Sequence, residues 1–446
     1  MMFFRKVVSM AFAVSLSVGT ISAATGASGR PLVTPFQQAV AQAVSGDEAI
    51  AAFYRGRGFA PIWMGEGAAE RRAAFLWALD RAGDHGLPVA RYNAETIRSE
   101  FALAGDAAAR GALEVEMTRR FLRYAQDVSS GVLDPRSVDR GIVLDVVRRD
   151  PLEIVTAFAE GDPMDLVQGL WPRTLGYTRL LREKLRLEEV ARAGGWGAAV
   201  PGGTLEPGDT GTAVIALRDR LMRMGYLGRT ATARYNGEMV EAVRKAQADH
   251  GLTADGVAGA TTLAAINVSL ADRLAQVVVG LERQRWMNKP LEDRHILVNL
   301  AEQHAYVVDD GVVTFDTVVV VGAEASDRRT PEFSHTMTHM VINPYWHVPR
   351  SIAVKEYLPA LRRGGARHLE VHSNRGRVDR RRINFGRYNA RNFPFRLKQP
   401  PGPRNALGRV KFMFPNQYNI YLHDTPAKNL FGREVRAYSH GCIRLA

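Results

Sequence analysis

The sequence predicts a multidomain fold with three parts: a mostly α N-terminal scaffold, a small three-helix module and a β-rich (α+β) C-terminal domain. Apolar residues recur at three- and four-residue spacing through the first two hundred residues, which is typical of helices. A stretch rich in glycine at residues 194–204 separates that region from a second, short helical segment. From about residue 290 the pattern changes to β-branched residues with period two, which indicates strands. A length of 446 residues fits two or three domains.

The predicted scaffold covers residues 31–193. Apolar side chains such as Phe75, Leu79 and Phe121 fall on one side of their predicted helices. We find no cluster of residues with catalytic chemistry in this region, and we therefore expect it to support the rest of the chain. Residues 194–204, which include Gly194-Gly195 and Pro201-Gly202-Gly203, read as a linker.

The small module covers residues 205–267. One helix carries Val214, Leu217 and Leu221 at helical spacing, and a second is predicted from Gly237 to His250. A turn at 255–259 follows. This order resembles the three-helix peptidoglycan-binding domain found in many cell-wall enzymes, and the alternative is an unrelated small helical domain.

The C-terminal domain is predicted at residues 290–446. Strands are expected at 296–300, at 305–308 and 312–321 around the turn Asp309-Asp310-Gly311, and at 338–342, 410–414 and 419–422. A long insertion at 343–408 interrupts them. From Arg375 to Lys411 the chain has twelve Arg or Lys and one acid, Asp379. Because long insertions in compact domains tend to be functional, we interpret it as a basic lid; the alternative is a solvated loop.

The first 24 residues resemble a secretory signal peptide. Arg5 and Lys6 precede an apolar run at 7–21, and Ser22-Ala23-Ala24 offers small residues for cleavage. The run falls below the ~20 residues that a membrane helix needs, although a single membrane anchor is the alternative. We therefore expect export and a wall-associated, periplasmic location.

The formal net charge of +13 predicts an anionic partner. Export argues against nucleic acid, so wall carboxylates, phosphates or lipid headgroups are the more natural counterparts. The alternative is a positive surface that serves solubility alone.

The single cysteine, Cys442, is the strongest candidate for chemistry. It lies beside His440 and Gly441, and His423 precedes it. One thiol cannot form an intrachain disulfide, and an unpaired thiol in an oxidising compartment is exposed to oxidation. A lone cysteine is more often a small buried hydrophobe, but a thiol with an upstream imidazole and a neighbouring glycine suits nucleophilic acyl transfer.

The spacing around Cys442 is specific. His423 is followed by fifteen residues and then by Ser439-His440-Gly441-Cys442. This resembles the signature of L,D-transpeptidases with the YkuD-type catalytic domain. The segments 343–349, 399–408 and 421–426, with the scaffold and the small module, resemble the large Gram-negative branch of that family.

The resemblance implies a function in cell-wall organisation and cell shape. Cys442 would be the nucleophile, His423 the base, and backbone amides near Gly441 the oxyanion hole. Peptidoglycan stem peptides would be the substrates, no metal or cofactor would be needed, and carbapenem-type inhibitors are expected. Residues expected to contact substrate are Ser439, His440, Arg444, Asp424, Tyr421 and Asn405.

Two features depart from the family pattern. Arg444 stands where many members have Asn, and we interpret it as the mark of a subtype that steadies the loop or meets a substrate carboxylate. The chain stops at Ala446, whereas relatives of this branch usually continue, so the resemblance implies truncation.

Other readings of the same residues stay open. His423, His440 and Cys442 suit zinc, but no fourth ligand has recognisable spacing. In papain-like peptidases the cysteine precedes its histidine, which is the reverse of the order here. On a YkuD-type fold, water in place of the amine would give a carboxypeptidase or amidase. An inert wall-binding protein is a further alternative, and the sequence leaves the acceptor amine and the oligomeric state open.

Overall fold

The computed structural model describes residues 33–325 and 328–446; the predicted signal peptide lies outside these ranges. The predicted fold class is confirmed: helical region, small helical module and β-rich domain follow one another in that order. The helices before residue 200 are α1 (Pro35–Ala43), α2 (Glu48–Gly56), α3 (Ala68–Asp80), α4 (Ala94–Leu103), α5 (Ala107–Ser130), α6 (Pro135–Val138), α7 (Pro151–Glu160), α8 (Pro163–Gln168) and α9 (Leu175–Arg192).

Asp-Pro pairs begin three of these helices, α6, α7 and α8. In α7, for example, the Asp150 carboxylate accepts a hydrogen bond from Leu152 N at 2.7 Å, and Pro151 occupies the first helical position. An aspartate cap satisfies an amide that has no intrahelical partner, and proline has no amide to satisfy. The sequence therefore fixes where these helices start.

The core of the helical region contains aromatic rings and one buried acid. Glu114 is fully buried, and its Oε1 accepts hydrogen bonds from Ile62 N at 2.5 Å, Trp63 N at 3.1 Å and the Tyr54 hydroxyl at 2.9 Å. Burial raises the pKa of Glu114, although these donors oppose the rise. The acid thus holds the segment after α2 against α5.

The small module contains α10 (Thr212–Met224), α11 (Gly237–Asp249) and α12 (Ala260–Ile266). Leu217, Leu221 and Val243 are fully buried in its core, as their spacing predicts. Helix α13 (Leu270–Trp286) follows and packs along α9. Glu282 in α13 accepts hydrogen bonds from Val132 N at 2.6 Å and Leu133 N at 2.9 Å, and this joins α13 to the chain after α5.

An eight-stranded sheet forms the C-terminal domain, with the order β1-β2-β3-β12-β10-β9-β4 and β11 beside β3. Its strands are β1 (Arg294–Asn299), β2 (His304–Asp309), β3 (Val312–Gly322), β4 (His339–Ile342), β9 (Val410–Met413), β10 (Leu422–His423), β11 (Ala437–Ser439) and β12 (Ile443–Leu445). Strands β2 and β3 form the predicted hairpin, and Asp310 and Gly311 both have positive φ, as a type I′ turn requires.

One predicted strand, 419–422, is wrong over residues 419–421, because β10 begins only at Leu422. The Asn416 side chain accepts hydrogen bonds from Tyr418 N at 3.0 Å and Ile420 N at 3.2 Å. Asn419 takes a left-handed conformation with φ of 55°. A side-chain turn of this kind competes with strand pairing, and it directs the Asn419 carbonyl toward Cys442, which immediately precedes β12.

The insertion at 343–408 folds into a compact unit. A second sheet runs β5-β8-β6-β7, and helical segments precede β6. Leu361, Val371, Phe385, Phe393 and Leu397 are among its buried core residues. The elements are β5 (Trp346–His347), α14 (Arg350–Ile352), a π-helical turn (Ala353–Tyr357), α15 (Leu358–Arg362), β6 (Glu370–Ser373), β7 (Gly376–Val378) and β8 (Arg396–Gln399).

No single helix within residues 33–325 and 328–446 has the length and apolar composition of a membrane span. The pair α12 and α13 meets that standard only when taken together, and it is bent by 77°.

Replacement of Glu114 by alanine should destabilise the helical region by about 3 kcal/mol, because three buried donors lose their acceptor. Glu116→Ala is the matched control on the same helix, since it removes a partly exposed pair with Arg120 and should cost below about 0.5 kcal/mol. Thermal unfolding and hydrogen exchange at the Ile62 and Trp63 amides measure the loss of stability in the two variants. Equal effects of the two variants would contradict the role given to Glu114.

Candidate active site

Three neighbouring strands place Lys411, His423 and Arg444 side by side. In β9 and β10, which are antiparallel, Lys411 lies opposite His423; in β10 and β12, which are parallel, His423 lies opposite Arg444. Their strand neighbours Leu422 and Ile443 are buried in the core on the other side. Side chains alternate along a strand, so Lys411, His423 and Arg444 share the face of the sheet opposite Leu422 and Ile443.

Cys442 lies on this face, one residue before β12. The Ile443 amide donates to Tyr421 O at 3.1 Å, which continues the β10–β12 register toward Cys442 and Tyr421. His423 is two residues beyond Tyr421, and the Tyr421 and His423 rings lie 5.6 Å apart. The register therefore brings the thiol, the phenol and the imidazole together, with the imidazole diagonal to the thiol.

Gly441 has a backbone conformation that favours glycine. Its φ is 110°, where a side chain is strained, and a Cβ there would lie 3.0 Å from Ile420 Cδ1. Ser439 is buried and braces the same turn: its hydroxyl accepts from Gly441 N at 3.1 Å and donates to Cys442 O at 2.5 Å. The backbone on both sides of the thiol is therefore held by one side chain.

The Cys442 thiol donates to Asn419 O at 3.6 Å. Burial raises the pKa of Cys442, while hydrogen bonds from Tyr421 and the charges of Lys411 and Arg444 act against the rise. Because burial is the largest of these effects, the resting group is a thiol. The charges of Lys411 and Arg444 would stabilise the thiolate that forms when the proton leaves.

His423 is 5% exposed and has a defined tautomer. Its Nδ1 lies 2.5 Å from Asp424 O, and a carbonyl only accepts, so Nδ1 carries the proton and Nε2 presents a lone pair. Burial lowers the pKa of His423 to about 4; the hydrogen bond to the Asp424 carbonyl opposes this shift, and the charges of Arg444 and Lys411 add to it. The imidazole is therefore neutral at neutral pH and able to accept a proton.

His440 lies in the same turn, and its imidazole contacts the insertion. Its Nε2 is 2.5 Å from Glu356 Oε1, and Arg328 Nη2 lies 3.4 Å from the same oxygen. Glu356 belongs to the π-helical turn of the insertion. The insertion is thus tied to the turn that carries the nucleophile candidate.

The remaining predicted substrate residues divide into two groups. Tyr421 and Arg444 lie on the site face. Asn405 is 1% exposed, and its Nδ2 donates to the carbonyls of Pro344, Gln399 and Pro400. The geometry therefore gives Asn405 a structural role and adds no support for substrate contact.

The side chains of Asp424 and Ser439 also form hydrogen bonds within the protein. Burial alone would raise the pKa of Asp424, but hydrogen bonds from Lys428 and from the Arg409 and Thr425 amides outweigh it and hold that pKa below its usual value. A Cβ on Gly408 would lie 2.3 Å from the Asp424 carboxylate. Asp424 thus shapes the backbone whose carbonyl holds His423.

Two residues absent from the predicted site belong to it. Lys411 Nζ lies 3.6 Å from the centre of the Tyr421 ring, a cation–π contact, and the Trp346 indole hydrogen-bonds the Tyr421 side chain. The pairing of β9 with β10 brings Lys411 close to the thiol. Its place in the site therefore follows from the strand register and not from a local sequence motif. Trp346 lies in the insertion, distant in sequence.

No group of three or more His, Cys, Asp or Glu side chains is arranged to hold a metal ion in the part of the chain that the structure describes. His440 pairs with a carboxylate of the insertion, and His423 donates to a carbonyl.

Comparison with protein families gives three matches. Residues 293–446 match the L,D-transpeptidase catalytic domain of the YkuD family, residues 48–185 match a scaffold domain, and residues 210–266 match the family described as "Putative peptidoglycan binding domain". A curated protein of Haemophilus influenzae, "Putative L,D-transpeptidase", is 33% identical over 173 residues. That alignment covers 37% of this chain and 34% of the relative, so the chain spans about a third of the relative's length.

Two solved structures are similar in part. The L,D-transpeptidase (residues 123-326) from Xylanimonas cellulosilytica is 19% identical, with 56% of this chain and 89% of that chain covered and a TM-score of 0.15. The "Ldtfm-avibactam carbamoyl enzyme" is 14% identical, with 40% and 55% covered and a TM-score of 0.20. Both TM-scores are low, so the assignment rests on the family matches and the curated relative. The chain therefore contains, in order, regions that match a scaffold domain, a putative peptidoglycan-binding domain and the L,D-transpeptidase catalytic domain of the YkuD family.

Proposed function

We propose that this chain is an exported peptidoglycan L,D-transpeptidase that forms 3–3 crosslinks through a cysteinyl acyl-enzyme. The observation that carries the proposal is the shared face of β10 and β12, where a half-buried thiol and a neutral imidazole lie beside two cations. The peptidoglycan-binding domain supports a wall-associated location and a peptidoglycan substrate.

The first half-reaction would acylate Cys442. The thiol rotates from Asn419 O toward His423, Nε2 takes its proton, and sulfur attacks the carbonyl of the third residue of a donor tetrapeptide. The oxyanion is stabilised by backbone amides near Gly441 and Cys442. The C–N bond to the terminal D-Ala breaks, His423 returns the proton to the leaving amine, and a thioester remains.

The second half-reaction would transfer the acyl group. The amine of a neighbouring stem attacks the thioester, His423 takes a proton from that amine, and sulfur leaves and is reprotonated. Lys411 and Arg444 stabilise the sulfur anion at both stages, because each lies close enough to lower the pKa of the thiol. The site needs no metal or cofactor for these steps.

The insertion provides basic and aromatic surface near this face. Trp346 contacts Tyr421 and Glu356 contacts His440, so the insertion lies against the site at two points. Stem peptides carry carboxylates, and the arginines of the insertion are complementary to them. We propose that it covers the bound donor.

Incubation with a disaccharide-tetrapeptide should give an adduct of stem mass less one D-Ala on the wild-type chain and none on Cys442→Ala. Cys442→Ala should still bind sacculi, because the peptidoglycan-binding domain is separate in sequence. Intact mass and product chromatography are the measurements. Crosslinked dimers support transpeptidation, trimmed stems alone support the hydrolytic alternative, and a folded wild-type chain without adduct contradicts the acyl-enzyme.

Replacement of His423 by glutamine should slow acylation by about 10²–10⁴, since the proton acceptor is lost. His440→Gln is the matched control: its imidazole pairs with Glu356, and we expect a change of less than about tenfold. The rate of adduct formation under single-turnover conditions distinguishes them. A larger loss in His440→Gln would overturn the assignment of the base.

The acid limb of acylation should lie near pH 4. His423 must be neutral to accept a proton, and with its pKa lowered to about 4 it loses that capacity only as pH falls through this value. The pH profile of the single-turnover rate tests this, with circular dichroism at each pH as the folding control. A limb near pH 6.5, the ordinary histidine value, would show that the imidazole is not buried as described.

Alkylation by iodoacetamide should keep accelerating up to pH 9, because the thiolate is the nucleophile and burial raises the pKa of Cys442 above its ordinary 9.0. Arg444→Gln should slow alkylation at pH 8, while Arg433→Gln, an exposed residue away from the thiol, should not. A plateau already reached by pH 7 would instead indicate a thiolate–imidazolium pair.

A further inference from the structure

Thr330 is a buried hydroxyl that binds the turn before the nucleophile. It is 6% exposed, its Oγ1 accepts from Gly322 N at 2.9 Å and donates to Gly441 O at 2.7 Å. Gly322 ends β3, so the hydroxyl links the sheet to the peptide group between Gly441 and Cys442.

This hydrogen bond fixes the direction of one amide. A trans peptide is planar, and its C=O and N–H point in opposite directions, so holding Gly441 O aims the Cys442 N–H away from Thr330. Gly441 has no side chain to restrict its own rotation. Ser439 holds the two flanking peptide groups, through Gly441 N and Cys442 O. Thr330 holds the group between them, which contains the Cys442 amide.

The segment that carries Thr330 is attached to the scaffold domain. Glu332 N donates to Gly141 O at 2.8 Å, and Val143 N donates to Glu332 O at 2.9 Å, which forms a short parallel bridge between the two domains. Close packing fixes the other side of the segment: a Cβ on Gly322 would lie 2.1 Å from Arg328 O. The position of Thr330 therefore depends on chain that lies outside the catalytic domain.

Two ion pairs also hold this segment, one to the scaffold domain and one to α13. Arg329 lies 2.5 Å from Asp139 of the scaffold domain, and Arg283 of α13 lies 2.6 Å from Glu332. All four side chains are partly exposed, so each pair contributes little alone. Together with the two backbone hydrogen bonds they hold residues 329–332 at both ends.

We propose that Thr330 is a positioning residue that aims the Cys442 amide at the oxyanion, and that the scaffold domain holds Thr330 in place. The inference rests on the proposed acyl transfer, and it assigns the scaffold domain a part in the active site in addition to support. Thr330 touches no reacting atom and acts through the Gly441–Cys442 peptide group.

Thr330→Val tests the role, because valine keeps the shape and removes the hydroxyl; Thr330→Ser keeps the hydroxyl. Acylation passes through an oxyanion, whereas alkylation by iodoacetamide is a displacement at carbon and forms none. Loss of one oxyanion donor costs about 10²–10³, so a misaimed amide in Thr330→Val should slow acylation by about 10–10². Alkylation at the same pH should stay within about threefold, and Thr330→Ser should acylate close to the wild-type rate.

Three outcomes would overturn the proposal. Thr330→Val that acylates like wild type shows that the amide needs no such support. Equal loss of acylation and alkylation, together with a lowered melting temperature, shows a structural role only. A wild-type chain that is alkylated but never acylated contradicts the proposed function itself, and the positioning role with it.

The attachment of residues 329–332 is tested by the double variant Arg283→Gln/Arg329→Gln, which removes the ion pair to Asp139 of the scaffold domain and the ion pair to α13. We expect acylation to slow several-fold while alkylation does not change. Arg192→Gln, which removes an exposed pair on α9, is the matched control and should leave both rates unchanged. Unchanged acylation in the double variant, with the bridge at Glu332 still protected from hydrogen exchange, would contradict the part given to the ion pairs and assign the attachment to the two backbone hydrogen bonds. Loss of that protection without loss of acylation would contradict the scaffold's part.

Discussion

The parallel pairing of β10 with β12 is the constraint on which the site depends. Its register puts His423 opposite Arg444 and brings Cys442 beside Tyr421, with Leu422 and Ile443 in the core below. A shift of one residue would turn the whole face inward, because side chains alternate along a strand. The burial of Leu422 and Ile443 therefore helps to hold the candidate catalytic groups on the opposite face.

Burial and charge then set the chemistry of this face. The same enclosure that favours the neutral thiol also favours the neutral imidazole, since charge is costly away from water. Lys411 and Arg444 add to the effect on His423 and oppose it on Cys442. The site consequently rests as a neutral pair that needs a single proton transfer to become reactive, and the cations lower the cost of that step.

The sequence revealed the parts of this account that depend on local pattern. Cys442, His423 and the hairpin turn at Asp310-Gly311 follow from spacing and residue type, and the order of the domains follows from changes of period. Contacts between residues distant in sequence could not be predicted. Lys411 is placed at the site by strand register, Trp346 by the fold of the insertion, and Thr330 by a segment that is bridged to the scaffold domain. Asn416 overrode β propensity at 419–421 because its side chain captured the backbone.

The neutral thiol–imidazole pair is the central claim, and nitrogen NMR of His423 tests it most directly. With histidine labelled in its ring nitrogens and His423→Gln used for assignment, Nδ1 should be protonated and Nε2 bare from pH 5 to pH 8, as the hydrogen bond to Asp424 O and the lowered pKa require. Protonation of both ring nitrogens at pH 7 would contradict the account, because it would place a charged imidazolium beside a thiolate on this face.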